Sequence, residues 1–332
     1  MTAMTADTAA SPGATPPGGE ESPRWNRAQG MLAKELRGRM RGPRAFVVLS
    51  FYLLFLAGFT LLIYFLAKLS AASDPTTPIG KPVFLGLVAF QLGLVCFLAP
   101  SFTAGVISGE RERQTYDLLM TTPLSLMLIV AAKLFAALAY VFLLIIAALP
   151  LLAISLFLGG VAPEEVAIAF LMLFASALLF GTIGLCFSAW VRSTIGAAAL
   201  AYGAMLVPVV ALPIVAATGF SFLAAILSGS NSNNPSPTVS AAIFYLGGFI
   251  LSLNPFIAGG LTEAIIYSNE SLFFFTISNP FGSGSGTVFV IGPWIIYTVT
   301  ALIATVFFFL LSLRLARPTR GGGRRRGTPA QS

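Results

Sequence analysis

The chain contains no histidine and only two cysteines among 332 residues. Without imidazole, His-based metal ligation and acid–base catalysis are excluded outright. Cys96 and Cys186 both fall inside long apolar runs, so no disulfide framework or cysteine metal site is expected. Charge is scarce as well: 9% of the residues are charged, where an ordinary soluble domain carries about a quarter. No Gly-x-x-x-x-Gly-Lys-Ser/Thr stretch occurs, so the chain has no loop to cradle a nucleotide's phosphates.

What the chain has in abundance is hydrocarbon, at 57% hydrophobic residues. Lipid offers no partner to a free backbone group, and crossing its core of about 30 Å takes roughly 20 apolar residues in a helix. Six stretches qualify: Ala45–Ala67, Val83–Ser108, Leu126–Leu158, Val166–Val191, Ile195–Ala217 and Ile291–Leu313. A seventh run, Ala241–Leu261, is also long enough, and charge decides its fate. With six crossings and a cytoplasmic N-terminus, all but two of the nineteen Lys and Arg residues lie inside; only Lys68 and Lys81 fall outside. Thr218 to Val290 contains neither residue, as the positive-inside bias requires of an external segment. A seventh crossing would carry the arginines from Arg314 to Arg326 across the membrane. Ala241–Leu261, interrupted by Gly247-Gly248 and Asn254-Pro255, therefore reads as a re-entrant or surface-lying helix pair.

Residues 1–27 read as a disordered cytoplasmic tail, and 317–332 as a basic tail that holds to anionic lipid rather than to nucleic acid. The first apolar run follows a basic segment and is too long for a signal peptide's core, so it is expected to be a retained span. Ahead of it, over residues 28–43, Leu32, Leu36 and Met40 recur every four residues on one helical face while Arg37 and Arg39 lie elsewhere around it. Such a helix can lie in the interface with its apolar stripe in the acyl boundary. A plain basic topology anchor fits these residues equally well.

The densest charge lies between the second and third runs, in SGERERQTYDLLMTTPLS, Ser108 to Ser125. Glu110, Arg113 and Asp117 can share one face of a short helix, with Tyr116, Leu119 and Met120 forming an apolar face beside it and Pro123 ending it. A polar loop needs no such apolar face. The pattern suits a helix that docks on a partner, with charges of both signs to set its register, or one that rests on the membrane.

At these residues the sequence resembles the permease subunits of ABC-2-type transporters. Their first cytoplasmic loop carries Glu, a few polar residues, Gly-Thr-Leu-Glu-Leu-Leu, then Thr-Pro-Leu-Ser and a Lys in the next helix. Glu110, Thr115, Asp117, Leu118, Leu119, Thr122, Pro123, Leu124, Ser125 and Lys133 match in order. Gln114 stands where the family usually has Gly, and Tyr116 where it usually has Leu. LNPF at Leu253–Phe256 and the interfacial helix extend the likeness over residues 28 to 316.

The resemblance implies an all-α polytopic membrane protein of six transmembrane helices, with an N-terminal interfacial helix, a cytoplasmic coupling helix and a re-entrant or external helical segment before the last span. It implies that the coupling helix, with Glu110, Arg111, Arg113, Thr115, Tyr116, Asp117, Leu119, Met120 and Pro123, enters a groove on a separate ATP-binding subunit. ATP and Mg would belong to that subunit and no cofactor to this chain. A second permease copy or homologue would complete the translocation path. The direction implied is export across a prokaryotic cytoplasmic (inner) membrane, with both termini cytoplasmic.

Rival classes find less in the residues. An ion-coupled carrier keeps ionisable groups at membrane depth, whereas the six runs contain Lys133 alone, near a span end from which it can snorkel. A channel filter signature is absent. A membrane-embedded enzyme needs grouped acids or a nucleophile with its base. Glu164 and Glu165 read as helix-start carboxylates that complement the dipole, and Glu263 and Glu270 show no recognisable partner in the sequence. Gly181, Gly184, Pro100, Pro150, Pro208 and Pro213 read as packing and helix-shaping residues. Nothing selects a substrate, although uncharged spans lean toward something amphipathic or lipid-like.

Overall fold

The computed structural model describes residues 43–71, 78–115, 125–229, 237–269, 272–278 and 287–317. In chain order these form α1 (Pro43–Ala71), α2 (Gly80–Thr103), α3 (Ser108–Glu112), α4 (Leu126–Ala147), α5 (Leu149–Phe157), α6 (Pro163–Trp190) and α7 (Thr194–Leu206). A π turn (Val207–Ala211), α8 (Leu212–Gly229), α9 (Pro237–Ser252) and α10 (Pro255–Asn269) follow, then β1 (Phe274–Ser278), β2 (Thr287–Ile291) and α11 (Pro293–Leu315). Among the described residues six stretches are long and apolar enough to cross a membrane: Phe46–Ser70, Gly80–Glu112, Leu126–Phe157, Pro163–Trp190, Thr194–Gly219 and Pro293–Leu315. These are the six expected spans, displaced by a few residues at their ends. The interfacial-helix residues Leu32, Leu36, Arg37, Arg39 and Met40 lie outside the described residues, as do Tyr116 to Leu124 and Glu270.

Helix starts follow local chemistry. Pro stands in the first turn of α5, α6 and α11, where its missing N–H leaves no bond unmade. Ser193 caps α7 by accepting from the Gly196 N–H at 3.2 Å. Inside the spans Thr60 donates to the Leu56 carbonyl (2.8 Å) and Thr103 to the Ala99 carbonyl (2.9 Å), so these two hydroxyls are met within their own helices.

The spine of the bundle is α6, which packs against α2, α4, α7 and α11. Small residues let it approach: a Cβ on Gly184 would lie 3.0 Å from the Pro100 Cα of α2, and one on Gly181 would press into Leu138 of α4. Ser176 and Tyr297 share a hydrogen bond of 2.6 Å between α6 and α11. By contrast α1 is peripheral. It buries Tyr52 and Leu56, stacks Phe59 on Phe90 of α2 at 3.9 Å, and turns Phe46, Phe51, Leu54, Leu61 and Phe65 outward, as a lipid-facing span does.

The run 241–261 is a broken helix pair, α9 and α10, parted at Leu253-Asn254. Asn254 makes the joint. Its Oδ1 accepts from the N–H groups of Phe256 (2.8 Å) and Ile257 (3.0 Å), capping α10, while its Nδ2 donates to the carbonyls of Pro208 (3.0 Å) and Val209 (2.8 Å). Those carbonyls belong to the π turn, where Pro208 has no N–H to continue the regular ladder. A helical reading of the external segment misses one element: β1 and β2 form an antiparallel hairpin, in register from Phe274–Ile291 to Ser278–Thr287. Its open end is tied down by Trp294 Nε1 donating to the Leu272 carbonyl at 2.8 Å.

Candidate functional site

The charged loop leaves the C-terminal end of α2, and its first residues are bonded into the neighbouring helices. Ser188 near the end of α6 accepts from the backbone N–H groups of Ile107 (2.9 Å) and Ser108 (3.0 Å). Arg111 donates from Nη1 to the Ala189 carbonyl (2.6 Å) and from Nη2 to the Leu315 carbonyl (3.4 Å), so one guanidinium meets the last turns of both α6 and α11. A cation there also complements the two helix dipoles. Glu112 does the converse at the start of α7, accepting from the Thr194 N–H at 2.8 Å and from its hydroxyl. Glu110 accepts from Lys133 Nζ of α4 at 2.5 Å. Three consecutive charged side chains, at 110, 111 and 112, are thus each committed to different helices.

The expected site residues divide on this geometry. Glu110 and Arg111 are half-buried and engaged within the chain, and Arg113 and Thr115 are exposed. Tyr116, Asp117, Leu119, Met120 and Pro123 lie outside the described residues. The reading of Glu110 and Arg113 as one face of a helix running on to Asp117 meets a break, because α3 stops at Glu112 and Gln114 turns left-handed at φ 58°. Lys133 does not snorkel; its side chain is 7% exposed and its charge is met by Glu110. Sequence reasoning gave Glu112 and Ser188 no role, since their partners stand about eighty positions away with no local signal to reveal them.

A second charged cluster closes the opposite end of the same helices. Lys81, in the first turn of α2, lies 3.0 Å from Glu165 of α6 and 2.9 Å from Glu263 of α10. The expectation that Glu263 is unpartnered is therefore corrected, and Glu165 does more than complement a dipole. A cation in a helix's first turn opposes the macrodipole, and two carboxylates offset that. Burial pushes the Glu263 carboxyl above the usual range; the Lys81 ammonium works against that rise and the Glu165 carboxylate adds to it. Among the described residues no group of three potential ligands converges to hold a metal ion.

A model of the ABC-2 family transporter protein matches residues 30–316. The chain belongs to the ABC-2 family. Among proteins of curated function, none matches it. As an ABC-2 family protein it is a multi-pass membrane permease, of a kind that in general works with an ATP-binding subunit. The family's usual Gly in the loop now has a physical counterpart. Gln114 adopts the left-handed backbone that glycine enters without steric cost, so the turn persists in its absence.

Proposed function

We propose that this chain is the permease subunit of an ATP-driven exporter in a prokaryotic cytoplasmic membrane, coupled to a separate ATP-binding subunit through residues 109–124 and paired with a second permease copy or homologue. The observation that carries the proposal is the bonding of residues 107–112 to α4, α6, α7 and α11. A partner pushing on the segment beyond Thr115 would act on four helices at once rather than on a slack loop. In this reading Glu110, Arg111 and Glu112 are positioning residues. Arg113, Thr115 and Asp117 set the register of the partner contact, Tyr116, Leu119 and Met120 supply its buried area, and Pro123 ends the segment. ATP and Mg are held by the partner, since no phosphate-cradling motif stands in this sequence.

The test is an affinity purification of the tagged chain from native membranes in mild detergent, with mass spectrometry and an ATPase assay on what is recovered. Wild type should bring an ATP-binding subunit and an ATPase. Replacing Tyr116, Leu119 and Met120 by Ser should lose both while the membrane part stays monodisperse. Recovery of the ATPase with the triple variant at the wild-type level refutes the assigned contact.

A further inference from the structure

Between α2, α6 and α10 lies a cavity of about 360 Å³, within the range of small-molecule sites. Its walls are hydrocarbon and aromatic, from Phe84, Val88 and Leu92 of α2, Ile168 and Met172 of α6, and Phe256 of α10. At one end the character changes. Glu165 and Glu263 line the cavity, and Lys81, which holds both, does not. Two carboxylates against one ammonium leave one negative charge when all three are ionised, facing an apolar chamber.

We propose that this cavity binds a monovalent organic cation with an apolar body, such as a primary alkylamine, its ammonium at Glu165 and Glu263 and its hydrocarbon along α2 and α6. The charge count selects the head group. A divalent metal ion would need about six oxygen ligands, which the apolar walls do not supply. An anion would meet carboxylates first. A quaternary ammonium would want an aromatic cage, whereas carboxylates accept N–H bonds from a primary amine. The cavity is at the end of α2 and α6 away from the loop that begins at Ile107. Binding here is a property of this chain alone and stands whether or not an ATPase partner drives it.

A pH dependence follows from the groups that face Glu263, which are Lys81 on α2 and Glu165 on α6; on its own helix the next titratable residue, Tyr267, is exposed. An incoming ammonium favours the ionised form of Glu263, whose carboxyl is raised by burial. Amine affinity should therefore rise as pH increases through that titration.

The experiment uses the purified full chain in phosphatidylcholine nanodiscs and tritiated decylamine, with empty nanodiscs subtracted for partition into lipid. Saturable binding is expected, displaced by unlabelled decylamine and not by equal concentrations of decanol or decyl sulfate. Glu263→Gln should weaken it at least tenfold. Met172→Trp, which fills the cavity and leaves every charge in place, should weaken it as much. Lys81→Met should retain binding, because it leaves both carboxylates for the ligand; a cluster with a merely structural role would lose it. The proposal is overturned by the absence of a saturable component, by wild-type affinity in Met172→Trp, or by decanol competing as well as the amine. Should Glu263→Gln fail to give a monodisperse protein, Met172→Trp and the decanol competition decide on their own.

Discussion

The pair Glu110–Lys133 offers a direct measure of whether the loop acts through its grip on the bundle. Lys133 Nζ lies 2.5 Å from Glu110 Oε1, with the lysine side chain 7% exposed and the glutamate 26%. Removing one partner of a buried pair costs about 3–5 kcal/mol, because the remaining charge loses its compensation in low dielectric. Glu110 has partial access to water, which screens the interaction, so a value of about 2 kcal/mol is the better expectation for Glu110→Gln. Removing both charges, as Glu110→Gln with Lys133→Met, should be nearly neutral, since replacing a buried pair by apolar groups removes the desolvation penalty along with the attraction. Because the double variant is nearly neutral, the coupling energy from the double-mutant cycle should equal the sum of the two single losses, about 4 kcal/mol when Lys133→Met costs as much as Glu110→Gln.

The assay is unfolding of the purified chain in mixed micelles for the wild type, both single variants and the double variant. A charge swap adds a functional arm. With Glu110→Lys and Lys133→Glu combined, ATPase stimulation of the assembled complex should recover most of what either single change loses, if Glu110 acts through Lys133. Failure of the swap to recover stimulation, together with a coupling energy near zero, would refute the clamp and return Glu110 to direct contact with a partner.

Other expectations rest on single sites. Asn254→Ala should destabilise by about 2–4 kcal/mol, because two N–H groups and two carbonyls lose a buried partner. Asn254→Asp should be no better, since the improved cap is outweighed by a carboxylate facing two carbonyl oxygens; unfolding curves of that variant that overlay the wild type would contradict this. Gln114→Gly should stabilise by up to about 1 kcal/mol, the relief of left-handed strain exceeding the extra entropy of the unfolded chain, and a measured loss would mean the turn is not strained. Gly184→Val should lower the melting temperature and the yield, as its branches meet the backbone of Pro100, whereas tolerance would show that α2 and α6 can separate freely. The raised Glu263 carboxyl binds its proton more tightly folded than unfolded, so its contribution to stability is complete below the ordinary glutamate value of 4.5 and is lost as pH rises through its folded value. Melting curves against pH should show that loss, and Glu263→Gln should flatten it.

The spans were legible because their signal is cumulative. Twenty apolar residues in a row outweigh any local ambiguity, and all six expected runs recur as helices long and apolar enough to cross a membrane. The break between α9 and α10 was legible too, because Asn-Pro speaks through local backbone chemistry. The hairpin was not, since Phe274–Ser278 and Thr287–Ile291 are five-residue strands too short for periodicity to mark, and the bond from Trp294 to Leu272 that holds their open end has no local signal. Nor were the ion pairs. Lys81 meets Glu165 across 84 positions, and Lys133 meets Glu110 around a loop, so only the three-dimensional crossing of α2, α4, α6 and α10 brings the charges together.

That crossing gives the two sites a common mechanical frame. Lys81 and the Ile107–Glu112 segment stand at opposite ends of the α2 stretch, and Glu165 and Ser188 at opposite ends of α6. Between them the two helices are locked by Gly184 against Pro100, a contact with no room for a side chain to slip. Close packing of this kind resists large displacement of one helix past the other. On the proposed reading, force delivered to the loop end therefore reaches the Lys81 cluster as a displacement of the α2–α6 pair relative to α10, which carries Glu263 on a separate, jointed helix. The variable that such motion changes is the distance between Glu263 and the other two charges. Spin labels placed on α10 and α2 should report it on ATP binding to the assembled complex, and an unchanged distance would confine the motion to other helices.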